Sequence, residues 1–124
     1  MTVLHENPHD GNFILSEDDE GRLSRDNIGI ASGAGALLPG TVLGRIAASG
    51  KFVPSPLAAS DGSEIAVAIL IGRVEAVNAD AAAVGVMRHA EVNRSGLLYD
   101  HTVDDDAKKA AKWDQLRAAG IVVR

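Results

Sequence analysis

The stretch from Ser24 to Ile46, SRDNIGIASGAGALLPGTVLGRI, constrains the fold of this chain more than any other. Gly33, Gly35, Gly40 and Gly44 permit backbone conformations that other residues resist, and Pro39-Gly40 is a strong turn signal. Thr41-Val42-Leu43 then opens a β-rich run that breaks at Gly44 and resumes at Arg45-Ile46. Upstream the sequence is polar and pattern-poor; downstream it consists of short apolar runs, turns and one helix. The stretch therefore reads as the place where an extended N-terminal arm, residues 1–27, enters a β-rich body, residues 28–124. An arm that long on a body that small suggests a protein that grips something.

The body reads as strand, turn, strand. Ile28 to Ala36 alternates weakly, and Thr41 to Ala48 reads as a strand that turns at Ser49-Gly50 into a short partner, Lys51-Phe52-Val53. Pro54-Ser-Pro56 ends that partner, and Ala58 to Gly62 is a loop. Ile65 to Ile71 (IAVAILI) is a continuous apolar run whose length and β-branching predict a buried strand rather than a helix. Arg73 to Val77 continues or returns from it. Asn78-Ala-Asp80 turns into a strand over Ala81 to Met87, with Val84 and Val86 on one face. So many strands, with so little helical period before residue 100, predict a mainly β fold: a small barrel or sandwich-like body with one C-terminal helix.

That helix is predicted near 104–119. Thr102 is the candidate N-cap, and Asp104, Asp105 and Asp106 crowd the turn where the macrodipole favours negative charge. Asp104–Lys108 and Asp105–Lys109 are i,i+4 pairs in the favourable order, each adding about 0.2–0.5 kcal/mol. Trp113 and Leu116, flanked by Ala110, form the stripe that docks on the body. Gly120 stops the helix, and Ile121 to Arg124 closes the chain as a strand.

Apolar residues make up 46% of the 124, yet many are alanine and the aromatics are only Phe13, Phe52, Tyr99 and Trp113. The core is thin, and small cores are often completed by oligomerisation, so a homo-oligomer is expected. Twelve basic against seventeen acidic residues give a net charge of −5. The basic residues form no run, which argues against a nucleic-acid surface. With no cysteine in the chain, disulfides, thiol catalysis and zinc–thiolate sites are excluded. The N-terminus lacks a secretory pattern, and the longest apolar run is far short of a membrane span. The expectation is a soluble protein made in the cytoplasm.

The arm holds two apolar clusters, Val3-Leu4 and Phe13-Ile14-Leu15, separated by Asn7-Pro8 and Asp10-Gly11-Asn12. A disordered tail explains its lack of period. A solvated tail has little need for Phe13-Ile14-Leu15, however, whereas an extended segment that adds to another protein's sheet does. Both hold together if the arm is mobile when free and ordered when bound.

No catalytic constellation is visible. Adjacent acids on a helix point about 100° apart, so Asp104-Asp105-Asp106 suits the helix dipole better than a metal. Glu17 to Glu20 lacks calcium-loop spacing, and Pro8 breaks the His5–His9 pair. His89 and His101 are isolated. There is no G-x-S-x-G, and Gly33-Ala-Gly35 is not continued into a phosphate loop. No cofactor and no metal are expected.

The order Gly11-Asn12, Leu23-Ser24-Arg25-Asp26, a Gly-rich link, Gly40-Thr41-Val42-Leu43-Gly44, a short hairpin, and Asp61-Gly62-Ser63 before an apolar strand resembles the head decoration proteins of tailed bacteriophages, the lambda gpD-like family. Leu97-Leu98-Tyr99, the Asp/Lys/Ala-rich helix and the closing Gly120-Ile121-Val122-Val123 strand extend the resemblance over nearly the whole chain. It implies a non-enzymatic capsid protein: homotrimers on the outside of the expanded head, at local three-fold positions, resisting the pressure of packaged DNA. It implies that the arm adds a strand to the major capsid protein, with no direct nucleic-acid or membrane partner. Val3, Leu4, Phe13, Ile14 and Leu15 are the expected capsid contacts; Val42, Leu43, Ile46 and Trp113 are candidates for the contact between protomers. Two other readings compete: a β-rich adaptor of a tail or secretion assembly, and a trimeric enzyme of the dUTPase type, whose phosphate-binding and uracil-hairpin motifs are not visible here.

Overall fold

The apolar run at residues 65–71 forms the spine of the body because both of its faces are buried. In this computed structural model, which describes residues 11–17 and 23–124, the run is strand β6 (Ala66–Leu70). Ala68 and Leu70 enter one core, while Ala66 and Ile69, followed by Ile71, enter another. A strand covered on both faces has no position for a polar residue, so its sequence runs apolar without alternation.

Around β6 closes a five-stranded barrel in the order β2 (Arg25–Ile30), β5 (Phe52–Pro54), β4 (Val42–Arg45), β6 and β8 (Ala81–Val86). The β2–β8 seam is antiparallel from Arg25↔Val86 to Ile30↔Ala81, and β2 meets β5 in parallel at Ile30↔Phe52. One core holds Ile30, Leu43, Phe52, Ala68 and Leu70. It also receives Leu37, Val74 and Ala76 from a two-stranded antiparallel ribbon, β3 (Gly35–Leu37) with β7 (Val74–Ala76). Closure leaves the barrel strands no long free edge.

The second core lies on the opposite face of β4 and β6. It is covered by helix α1 (Asp106–Ala118) and by a three-stranded sheet in the order β1 (Ile14–Glu17), β9 (Ala90–Val92), β10 (Ile121–Val123). Strands β9 and β10 are parallel, and α1 supplies the crossover that such a pair needs. The mainly β fold with one C-terminal helix, expected from the sequence, is present and resolves as a closed barrel rather than a sandwich.

Several local expectations change. The turn after β4 spans Ala47 to Gly50, not two residues: Ile46 N–H donates to Lys51 O and Gly50 N–H to Ile46 O, each at 2.8 Å. Asp105, not Thr102, is the N-cap of α1, its carboxylate accepting from Lys108 N–H at 2.8 Å. Thr102 is held three residues upstream by Asp100. The Asp104–Lys108 pair forms, at 2.6 Å, but Asp105–Lys109 does not. Asp105 is occupied by its cap, while the Lys109 ammonium lies 5.4 Å from the Tyr99 ring centroid. Val84 and Val86 do share a face, but only Val86 is covered by the second core. Replacing Asp105 by alanine is expected to lower stability by about 1 kcal/mol in urea denaturation; an unchanged midpoint would remove the cap from the account.

Candidate interaction surfaces

Residues 11–17 are built into the body. Gly11 N–H donates to Ile71 O at 3.0 Å, and Asn93 N–H to Phe13 O at 2.8 Å. Phe13 is 1% exposed within the second core and Ile14 packs beside it, whereas Leu15 is 53% exposed. The body's own packing thus reaches back into the stretch read from the sequence as arm. Val3 and Leu4 lie outside the described residues.

A polar clasp closes the base of this segment. The Glu17 carboxylate accepts from the buried Ser24 hydroxyl and from Arg25 Nε at 2.9 Å, joining the end of β1 to the start of β2. The Arg25 hydrogen bond, with help from Ser24, holds Glu17 below its ordinary pKa of 4.5 against the opposing effect of burial. A carboxyl depressed on folding stabilises the native state above its unfolded pKa, and that contribution is lost as pH falls through the folded value. Glu17→Gln is therefore expected to lose about 1 kcal/mol at neutral pH. Its deficit relative to wild type should shrink as pH drops below 4.5; a deficit independent of pH would point to packing instead.

An open, largely apolar face surrounds the turn Asp100-His101-Thr102. On one side is a groove of about 370 Å³ lined by Ala36, Leu38, Pro54, Leu98 and Tyr99, among others. On the other is a groove of about 600 Å³ lined by Ala34, Ile46, Val53, Pro54 and Pro56, among others. Both share Pro54, Asp100 and His101, so the turn is a ridge between two recesses. The ridge is stiffened from within: Asp100 accepts from Thr102 N–H at 3.2 Å and from its hydroxyl at 2.6 Å. Thr102 Oγ1 in turn accepts from Leu57 N–H at 2.9 Å.

The approach to this face depends on Gly40. Its φ is +93°, and a Cβ there would lie 2.3 Å from Gly96 O. Only glycine lets the turn pass so close, and the contact sets Leu98 N–H to donate to Gly40 O at 2.8 Å.

Val42 and Leu43, candidates from the sequence for a contact between protomers, are 1% and 0% exposed. They occupy opposite cores of their own chain and leave a partner no surface. Ile46 is half-buried in the larger groove. Trp113 is half-buried apart from it, its indole N–H donating to the Tyr99 hydroxyl at 2.7 Å and its ring lying 5.2 Å from Arg94. Burial raises the Tyr99 pKa above 10.0, opposed by the Trp113 hydrogen bond and the Arg94 charge.

Sequence reasoning missed Lys112. It is 1% exposed, and its ammonium donates to Ser55 Oγ at 2.9 Å, Pro56 O at 2.7 Å and Glu64 O at 2.6 Å. The available signal was its i,i+4 spacing to the buried Leu116, which puts it on the docking stripe.

Among the described residues, no three His, Asp or Glu side chains are grouped to hold a metal ion. Asp104 and Asp105 are engaged with Lys108, as a structural use of the acidic turn requires. No described helix is long and apolar enough to cross a membrane.

Compared with known families, residues 3–121 match the family model of bacteriophage lambda head decoration protein D. No curated protein matches the chain.

Proposed function

The chain belongs to the bacteriophage lambda head decoration protein D family, a structural and non-enzymatic family of the phage head surface, and from that membership we propose how it acts there. Homotrimers bind the outside of the expanded head at local three-fold positions and cement neighbouring capsomers against the pressure of packaged DNA. The N-terminal arm, within residues 1–27, adds a strand to the major capsid protein, and residues 28–124 supply most of the rigid body.

The match over residues 3–121 carries this reading. The physics supports it. Backbone hydrogen bonds along an added strand give affinity without demanding a particular chemistry, and alternate side chains give register. Three arms on one trimer bind as a linked set, so modest strand energies multiply through effective concentration. The anchor at Gly11 and Phe13 transmits tension from the arm into a core rather than into a loop. We assign that anchoring to Phe13 and Ile14, and capsid contact to Val3, Leu4 and the exposed Leu15.

The test is cryo-EM of expanded, DNA-free heads mixed with the full chain or with a chain beginning at Gly11, which keeps the body intact. Three-fold protrusions with the full chain and none with the truncation are expected. Equal decoration by both would keep the decoration role and overturn the arm mechanism. Failure of the full chain to bind its cognate shell would overturn the role itself.

A further inference from the structure

We propose that copies of this chain meet through the two-groove face, with the Asp100-His101-Thr102 ridge of one copy seated in the larger groove of the next, against Ala34, Ile46, Val53 and Pro56. The inference rests on the trimer reading above and names the contact that would build it.

Composition supports the assignment first. The groove linings comprise nine and eleven residues, three of them shared, and contain no lysine, arginine or glutamate. The chain as a whole is 23% charged, so this face is depleted of the residue types that interface centres avoid. Asp100 and His101 are its only side chains of charged type, and both sit on the ridge. Leu38, Leu57 and Leu98, which are 36–42% exposed on or beside the face, add apolar area that an isolated chain leaves wet. The patch approaches the roughly 20–30 residues a side of a specific interface.

Shape supports the occupant. A ring about a three-fold axis uses heterologous contacts, in which one surface of each copy meets a different surface of its neighbour. Such a contact needs a projection and a complementary recess on the same chain. The ridge and the larger groove supply both on one face. The ridge is also pre-organised, by Asp100 on Thr102 and Thr102 on Leu57 N–H, so little ordering cost falls on the contact. The His101 side chain is 90% exposed and is the part that enters the neighbour's recess.

The chain has no cysteine, so an engineered pair reports the contact without background. The double variant Ala34→Cys with His101→Cys, bound to expanded heads and mildly oxidised, is expected to run as covalent dimers and trimers on a non-reducing gel. Val77→Cys with His101→Cys, whose first position lies outside both grooves, should run as monomer. Decorated heads whose double variant stays monomeric would overturn the contact and leave the decoration role standing. A cysteine-to-lysine crosslinker joining His101→Cys to the shell protein, rather than to a second copy, would also overturn it. Heads left bare even by the wild-type chain would overturn the decoration role, and this inference with it.

Discussion

Gly44→Ala is expected to destabilise the body by about 3–4 kcal/mol, close to the limit of what single substitutions do. A Cβ at position 44 would lie 1.9 Å from the Ser63 carbonyl oxygen and 2.6 Å from its carbon, both backbone atoms with no rotamer to retreat into. The close approach is built into the barrel. Between Leu43↔Ala68 and Gly44↔Ala66 the β4–β6 register skips a residue, and this bulge bends the strand toward Ser63. The freed Ala66 N–H donates to Gln115 Oε1 at 2.8 Å, so the helix completes what the bulge leaves open. Gly29→Ala is the control: nothing lies within 4 Å of its added methyl, and its cost should stay within about 0.5 kcal/mol. Guanidinium denaturation of the two variants measures the difference. A Gly44→Ala loss below about 1 kcal/mol would mean that the turn at Ser63 can move aside, and the packing account would fail.

Sequence carried the strands because their signals are local. The buried run at residues 65–71, the Gly120 stop and the closing strand after it depend on nearest neighbours and periodicity, and all are where those signals put them. The barrel closure was not legible in the same way. It depends on β2 pairing with β8 across more than fifty residues, and weak alternation in Gly- and Ala-rich strands leaves the partner open. The burial of Phe13 was hidden for a related reason. Phe13-Ile14-Leu15 looks like one apolar cluster, but Phe13 lies in the turn before β1, and a register shift between Ile14 and Ser16 breaks the alternation that would put it on the face of Leu15. Phe13, just before the strand, turns into the body and Leu15 turns out, and only the pairing with β9, irregular at that point, tells them apart.

The candidate surfaces divide similarly. Val42, Leu43 and Ile46 share one strand pattern, which is the ground on which the sequence groups them. The burial of Val42 and Leu43 follows from β4 being central, flanked by β5 and β6, which no local pattern reveals. The grooves beside Asp100–Thr102 join loops from three distant parts of the chain, so no window of sequence displays them.

Lys112→Met is the second large effect: about 2–4 kcal/mol of lost stability, with a pH signature that separates it from a simple cavity. The wild-type ammonium has three protons to donate and three acceptors to receive them, in Ser55, Pro56 and Glu64. Methionine keeps the apolar stem but leaves two backbone carbonyls and a buried hydroxyl without their donor. Ser55 is also the link to the tight point at Gly44, since its hydroxyl donates to Ser63 O at 2.8 Å. Lys112, Ser55, Ser63 and Gly44 therefore form one connected path from helix to barrel, and loosening the lysine loosens the bulge. Burial works against the charge and depresses the Lys112 pKa below 10.5, opposed by the more distant carboxylates of Glu64 and Asp100. Between the depressed folded value and 10.5 the unfolded chain binds more protons than the native one, so this group makes stability rise with pH across that window. Below it, the desolvation penalty is constant and the group adds no slope. The difference between wild type and Lys112→Met should therefore widen as pH climbs toward 10.5. A difference that stays flat, or narrows, would mean that the lysine is held for its stem alone and that its three acceptors find water when it is gone.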